Sequence, residues 1–359
     1  MAKVKSISYI MPSEGSKPVG GFKIIYEYAN RLSEKGYKIN LIHPKNIHKS
    51  NNSSLNILRY CKYIYMKFLR KYSPNPWFSL HENVNVLWIP IVSNHYVPDS
   101  DIIFATAWIT AKCVLKLNQS KGIKFYFIQS LETWWGHEKE VVETWKYPMN
   151  KIVISQWLAN YANQLGEKCT YIPNGLNFNE FGLDIDINKK PHKSILMLYH
   201  ILEVKGTMYG LEGIYKLKEI YHDITFNLFG VESRPRGLPD WIIYHYRPNK
   251  QKLRELCNKS SIFISPSIFE GFPLPPAEAM MCGCALVATD IGGHKEYCID
   301  KKTALLVPIK SSISIFEKTE LLIQNNLLRI KIAENGNEFI KRFTWESTIN
   351  RMENTLKEF

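Results

Sequence analysis

Short apolar runs alternate along this chain with segments whose apolar residues recur at helical spacing. "SISYI" is followed by a turn from Pro12 to Gly21 and then by "FKIIYEYANRLSEKG", in which Ile24, Ile25, Tyr28, Ala29 and Leu32 share one helical face. Gly36 closes that helix and "KINLIHP" reads as the next strand, so the unit predicts a crossover within a parallel sheet. More strands are expected at "VNVLWIP", "DIIFAT", "KFYFIQ", "KIVIS" and "CTYIPNG", several followed by helical patterns. The polar stretch "LDIDINKKPHK" has no strong periodicity, and after it the pattern restarts. Strands "SILMLYH", "ITFNLFG", "WIIYHY", "SIFISPS", "ALVAT" and "ALLVP" interleave with helices "MYGLEGIYKLKEIY", "KQKLRELCNKS" and "PAEAMMCG".

Two Rossmann-like α/β halves follow from this pattern. A length of 359 residues exceeds one ordinary core and supports the same division. The boundary is expected between Phe181 and Lys190, giving a first domain over 1–182 and a second over 183–340. A closing helix over 341–359 is read from "FTWESTINRMENTLKEF".

The loop "SIFEGFPLPPAEAMMCG" places Glu270 and Glu278 around a glycine and three prolines, directly before an apolar helix. Pro275 and Pro276 suit a first helical turn, so the helix is expected to start there, run to Gly283 and hold Glu278 in its first turn. A helix N-terminus offers free N–H groups and the positive end of a dipole, and Gly271 lets the backbone approach a diphosphate. Glu278 would then accept hydrogen bonds from a neutral diol such as a ribose, and Glu270 would hold a hydroxylated ring beyond the phosphates. The alternative is a helix charged for its own dipole, with Glu278 stabilising the first turn.

"EGFPLPPAEAMMCGCALVATDIGGHKEY" resembles the signature of the retaining glycosyltransferases of family four, whose two acidic residues with seven between match Glu270 and Glu278. The likeness extends to "VGGFKIIYEYANRLSEKGYKINLI", "YIPNGLNFNEF", "VKGTMYGLEGI" and "FTWE". "IQSLETWWGHEKEVVETWKYPMNKIVISQWL" is similar to a subgroup met in bacterial surface-polysaccharide synthesis. The resemblance implies GT-B architecture, with two facing Rossmann-like domains and an interdomain cleft. It implies transfer of a hexose-type sugar from a nucleoside-diphosphate sugar, UDP or dTDP by preference and GDP next, to a hydroxyl of a lipid-linked or surface glycan. Retained configuration and no metal or other cofactor are also implied.

By the same resemblance, Glu270 touches the donor sugar, Glu278 binds the ribose, and Lys205 neutralises the departing diphosphate. Gly271, Phe272 and Leu274 would offer backbone N–H groups, while Pro273 cannot donate. His200 stands where the family has an arginine, and a neutral imidazole cannot form the same bidentate grip. Arg234, Arg236 or Arg247 are the possible substitutes. Gln129 in "FYFIQS" stands where the family has a histidine; it can hydrogen-bond a sugar but not titrate, which suits a leaving diphosphate oxygen that takes the acceptor proton. Gly20 and Gly21 could approach the donor phosphate or the acceptor, or simply form a tight turn. Glu132, Trp134, Trp135 and His137 are acceptor-side candidates, although the tryptophans could equally be core.

The chain is 45% hydrophobic and 22% charged, with no run long enough to span a bilayer, and its start, with a short apolar run Ile7 to Met11 and no small-residue cleavage site, reads as cytoplasmic. Seven cysteines form no CxxC pair and no metal-ligand series, and Cys282 and Cys284 read as structural rather than redox-active. The net charge of +13 is concentrated: between Lys35 and His81 there is no Asp or Glu, but nine Lys and Arg. Within that region "LNILRYCKYIYMKFLRKY" interleaves bases with Leu55, Leu58, Ile64, Tyr65, Phe68 and Leu69. Residues 45–72 therefore suit the anionic inner face of a cell membrane, where the protein would be peripheral, rather than nucleic acid; equally, the helix could cover its own domain with its lysines snorkelling. Two rival functions remain open, a sugar-nucleotide epimerase and a catalytically weak nucleotide-sugar-binding scaffold subunit.

Overall fold

The structure, a computed structural model, describes residues 5–13, 15, 19–47, 52–69, 77–134 and 136–359. The first half contains β1 (Ser6–Ile10), α1 (Gly20–Glu34), β2 (Lys38–Asn46), α2 (Ser53–Phe68), β3 (Val84–Ile91), β4 (Ile102–Ala105) and α3 (Trp108–Leu115). β5 (Ile123–Ile128), α4 (Glu138–Trp145), β6 (Asn150–Val153), α5 (Gln156–Gln164) and β7 (Thr170–Tyr171) complete it. The second half contains β8 (Ser194–Leu198), α6 (Thr207–Ile220), β9 (Thr225–Gly230), β10 (Ile242–Tyr246), α7 (Lys250–Lys259), β11 (Ile262–Ser265) and α8 (Leu274–Met281). β12 (Ala285–Thr289), β13 (Ala304–Val307), α9 (Ser312–Gln324), α10 (Asn326–Ile340) and α11 (Trp345–Leu356) follow.

Among the described residues, one sheet has the order β3-β2-β1-β4-β5-β6-β7 and the other β10-β9-β8-β11-β12-β13. Every strand pair is parallel. Both orders are doubly wound, so both halves are Rossmann-like α/β sheets. The central strands β4, β11 and β12 are buried at every position, which is why they read as unbroken apolar runs. On α1 the expected face is the buried one, and Gly36, at φ +89°, closes the helix with Tyr37 N–H bonded to Leu32 O at 3.1 Å and Gly36 N–H to Ser33 O at 2.9 Å.

The chain divides into two compact units, one ending at Asn174 and taking back Glu346–Phe359, the other Gly175–Trp345. Both boundaries depart from the sequence expectation. Residues 175–182 pack on the second unit: Leu176 N–H bonds Phe343 O at 2.8 Å, and a Cβ on Gly175 would come within 2.5 Å of Trp345. The last helix belongs with the first unit, where Lys35 pairs with Glu353 at 2.8 Å and Thr348 Oγ1 donates to Pro173 O at 2.9 Å. Helices α9 and α10, which sequence reading did not assign, meet at Asn325, whose side chain caps α10 by accepting from Leu328 N–H at 2.9 Å. Gly336 lets α10 lie close to Met280 of α8.

Candidate active site

In a doubly wound sheet the chain leaves the two central strands in opposite directions, and the crevice at their carboxyl ends is where ligands bind. In the second unit those strands are β8 and β11. The loop after β8 carries His200 and Lys205; the loop after β11 carries Glu270. The two loops are joined by Ile268 N–H donating to Val204 O at 2.7 Å. Gly206, at φ +62°, allows this approach, because a Cβ there would stand 2.0 Å from Pro266 O. Lys205 Nζ consequently donates to Glu270 Oε1 at 2.6 Å, and Ser267 Oγ donates to the same oxygen at 3.0 Å. The pair is largely shielded from solvent, which strengthens its attraction over that of a surface ion pair.

Behind this pair lies a support that sequence reading missed. His294 is fully buried, with Nε2 2.8 Å from Ser265 Oγ and Nδ1 2.8 Å from Thr289 O. Because a carbonyl only accepts, Nδ1 carries the proton and Nε2 accepts from the serine. Thr289 Oγ1 donates to Ser267 O, and Gly293 packs directly on the Glu270 backbone, with Glu270 O 2.6 Å from where a Cβ would lie. The sequence signal for it is the "GGHKEY" turn that closes the stretch resembling the family signature.

Burial holds the His294 imidazole down to about 4. The unfolded chain would take up this proton near pH 6.5, so the stability tied to neutral His294 is complete above that pH and is lost as pH falls towards 4. The span corresponds to about 3 kcal/mol. We expect the melting temperature to fall steeply across this window and His294→Gln to flatten the acid limb; an unchanged limb in a pH series of thermal melts would contradict the assignment.

His200 is also held below the usual histidine range, first by burial and then by the Lys205 ammonium, with Glu270 and Glu232 opposing, so it is neutral at pH 7. Its Nδ1 accepts from Leu202 N–H at 3.0 Å, which puts the ring proton on Nε2. The Arg234 guanidinium is bound to Ile242 O, Leu238 O and Pro239 O at 2.9 to 3.1 Å and Arg247 Nε donates to Val231 O at 2.9 Å, so both hold turns; Arg236 is exposed.

Two expectations for α8 are corrected. The helix begins at Leu274 and ends at Met281, so Glu278 is its fifth residue, in the second turn, and is buried. Of the four positions whose N–H groups a helix start leaves open, Pro273, Pro275 and Pro276 have none, and Leu274 is the only donor. Phe272 anchors the preceding loop through edge contacts with Tyr297 and Phe343, and Tyr297 Oη donates to Pro273 O at 2.6 Å. Gly271 and Phe272 thus sit on a loop fixed from below.

In the first unit, Gly20 and Gly21 open α1, and Gln129, just after β5, donates through Nε2 to Gly21 O at 3.1 Å. These three therefore come together. Glu132, at φ +55°, turns a carboxylate oxygen to the Trp108 N–H at 2.7 Å and so caps α3. Trp134 is exposed, His137 is the exposed N-cap residue of α4, and Trp135 lies outside the described residues. One carboxylate oxygen of Glu132 thus serves the backbone at the start of α3.

Residues 184–339 match the family described as glycosyl transferases group 1. The match falls within the second unit, Gly175–Trp345. This chain is 26% identical over 214 residues to the N,N'-diacetylbacillosaminyl-diphospho-undecaprenol alpha-1,3-N-acetylgalactosaminyltransferase of Campylobacter jejuni, covering 54% of this chain and 56% of that one. It is 22% identical over 302 residues to a capsular polysaccharide biosynthesis glycosyltransferase of Staphylococcus aureus, covering 75% and 78%. The chain spans between half and six-tenths of the length of the first curated relatives it matches. An Anabaena protein solved with UDP-glucose superposes with a TM-score of 0.72 at 14% identity, covering 99% of this chain and 100% of that one. The fold is thus the GT-B fold, and Lys205, Glu270 and Glu278 all lie inside the matched region.

Proposed function

We propose that this protein is a retaining glycosyltransferase that moves a hexose-type sugar from a nucleoside diphosphate, UDP or dTDP by preference, to a hydroxyl of a lipid-linked or surface glycan without a metal. The observation that carries this reading is the Lys205–Glu270 pair at the switch point of the second sheet. As the bond between the anomeric carbon and the diphosphate oxygen breaks, negative charge grows on that oxygen, and the Lys205 ammonium moves from the carboxylate to stabilise it. Glu270, released on one side but still held by Ser267, then accepts from a sugar hydroxyl. The acceptor oxygen bonds to the anomeric carbon from the same face, and its proton passes to the departing diphosphate oxygen. Gln129, which cannot take a proton, is consistent with that route.

Buried Glu278 accepts from the ribose hydroxyls, and the Gly271, Phe272 and Leu274 amides face the diphosphate. Neutral His200 contributes a hydrogen bond rather than charge, so Lys205 carries the electrostatic load. The lipid-linked acceptor rests on the similarity to the Campylobacter diphospho-undecaprenol N-acetylgalactosaminyltransferase, and a glycan acceptor on that to the capsular polysaccharide enzyme.

A thermal-shift panel of UDP, dTDP, GDP and ADP, with and without magnesium, tests the donor half. A nucleotide at about 100 times its dissociation constant should add roughly 2.7 kcal/mol. We expect one pyrimidine nucleotide to stabilise the wild type without metal and Glu278→Ala to lose the effect. If no nucleotide stabilises the protein, the scaffold reading displaces the enzyme. If a donor is converted with no acceptor present, the epimerase reading does.

A further inference from the structure

The helix α2 is turned so that its apolar residues face solvent. Of its residues only Tyr63 is buried, its hydroxyl donating to Trp88 O at 2.9 Å and its ring 4.7 Å from the Trp88 ring. With about 3.6 residues per turn, the opposite face is formed by Ile57, Leu58, Cys61, Ile64, Tyr65 and Phe68. All six are exposed, Ile57, Leu58 and Tyr65 by more than three-fifths and Phe68 by 85%. A helix that covered its own domain would place these residues inward. The arrangement here is the reverse, and a continuous exposed apolar stripe of this kind marks an interaction surface.

The charge around the stripe says what covers it. Lys62 and Lys67 flank it on its two sides, and no Asp or Glu occurs between Lys35 and His81. Docking two copies through this face would bring two uniformly basic regions together. An anionic lipid surface offers both what the lysines need and an apolar layer for the stripe. No helix of the described residues is long and apolar enough to cross a membrane.

We propose that α2 lies in the plane of an anionic membrane surface with Ile57, Leu58, Ile64, Tyr65 and Phe68 inserted among the lipids and Lys62 and Lys67 at the headgroups. The proposal does not depend on which sugar is transferred, or on transfer at all, because its residues are in the first unit and the donor residues in the second.

The full chain would be sedimented with vesicles of phosphatidylcholine mixed with phosphatidylglycerol, and of phosphatidylcholine alone. We expect binding to the anionic vesicles to fall about tenfold or more for the Ile64→Ser, Phe68→Ser double variant. Lys62→Gln with Lys67→Gln should lower it about twentyfold, and binding to phosphatidylcholine should be far weaker throughout. Ile64 and Phe68 are exposed, so in that variant the melting temperature and any nucleotide-induced shift should stay at wild-type values, separating lost docking from lost folding and from failure of the donor site; Lys67 Nζ lies 3.4 Å from the Tyr63 hydroxyl, so the lysine variant's binding is compared at matched folded fraction. A polarity-sensitive fluorophore on Cys61 should shift to the blue on anionic vesicles. Undiminished binding of the Ile64, Phe68 variant, or equal binding to the two kinds of vesicle, overturns the proposal. So does a wild type that ignores vesicles but dimerises in light scattering, with the dimer lost in that variant.

Discussion

Lys205→Met should lower the turnover of sugar transfer by roughly a hundredfold to a thousandfold, the range typical for removing a charge-stabilising group from a reacting centre. The ammonium sits on Glu270 Oε1 at 2.6 Å, at the carboxyl ends of β8 and β11. In the proposed reaction its stabilisation grows only as the diphosphate departs, so turnover should fall far more than the Michaelis constant for the donor changes. Removing the cation also leaves Glu270 with Ser267 as its remaining donor among those described above, which adds a stability cost of about 1–3 kcal/mol. The Glu270→Gln, Lys205→Met double variant should recover part of that stability while gaining no activity, since it removes the uncompensated charge. Steady-state kinetics and denaturant unfolding on wild type and the two variants separate the two effects. Turnover within twofold of wild type for Lys205→Met would remove the ammonium from the reacting centre.

Gly206→Val should be as damaging to activity, through geometry alone. A Cβ at this position would lie 2.0 Å from the Pro266 carbonyl oxygen, a backbone atom that cannot rotate away, and a β-branched residue is strongly disfavoured at φ +62°. The turn must then separate from the β11 loop, breaking the Ile268–Val204 hydrogen bond and withdrawing Lys205 from Glu270. We expect a loss of about 3 kcal/mol or more in urea unfolding together with a fall in transfer of at least about tenfold. Gly36→Asn is the control: Gly36 also has a positive φ, but nothing lies within 4 Å of its Cβ position, so only the modest backbone term applies and activity should be kept. If Gly206→Val kept wild-type stability and activity, the contact between the two loops would not be what positions Lys205.

What the sequence determined by itself was local. Apolar runs such as "IFIS" and "ALVAT", the helical spacing of Ile24 to Leu32, and the glycine after α1 each act within about ten residues, and they gave two parallel α/β halves without any knowledge of packing. Glu270, Glu278 and Lys205 were also legible, through their setting of glycine and proline and through family resemblance. The glycosyltransferase match over 184–339 contains all three.

What only the tertiary structure decided was non-local. Strand order brings the loops after β8 and β11 together, so the pairing of Lys205 with Glu270 depends on a neighbour relation that no stretch of sequence near either residue encodes. The same holds for His294, which reaches Ser265 and Thr289 only because β11 and β12 are adjacent, and for Glu132, whose carboxylate is taken by the start of α3. Proline at three of the open N–H positions of α8 was visible in the sequence, but where the helix begins was set by the anchoring of Phe272 and Pro273 from Tyr297. The clearest case is α2. Its periodicity announces two faces, one apolar and one mixed, but periodicity is blind to direction. The contact of Tyr63 with Trp88 on β3 turns the mixed face inward and leaves Ile57, Leu58, Ile64, Tyr65 and Phe68 outside, because which face is buried depends on what the rest of the fold places beneath it.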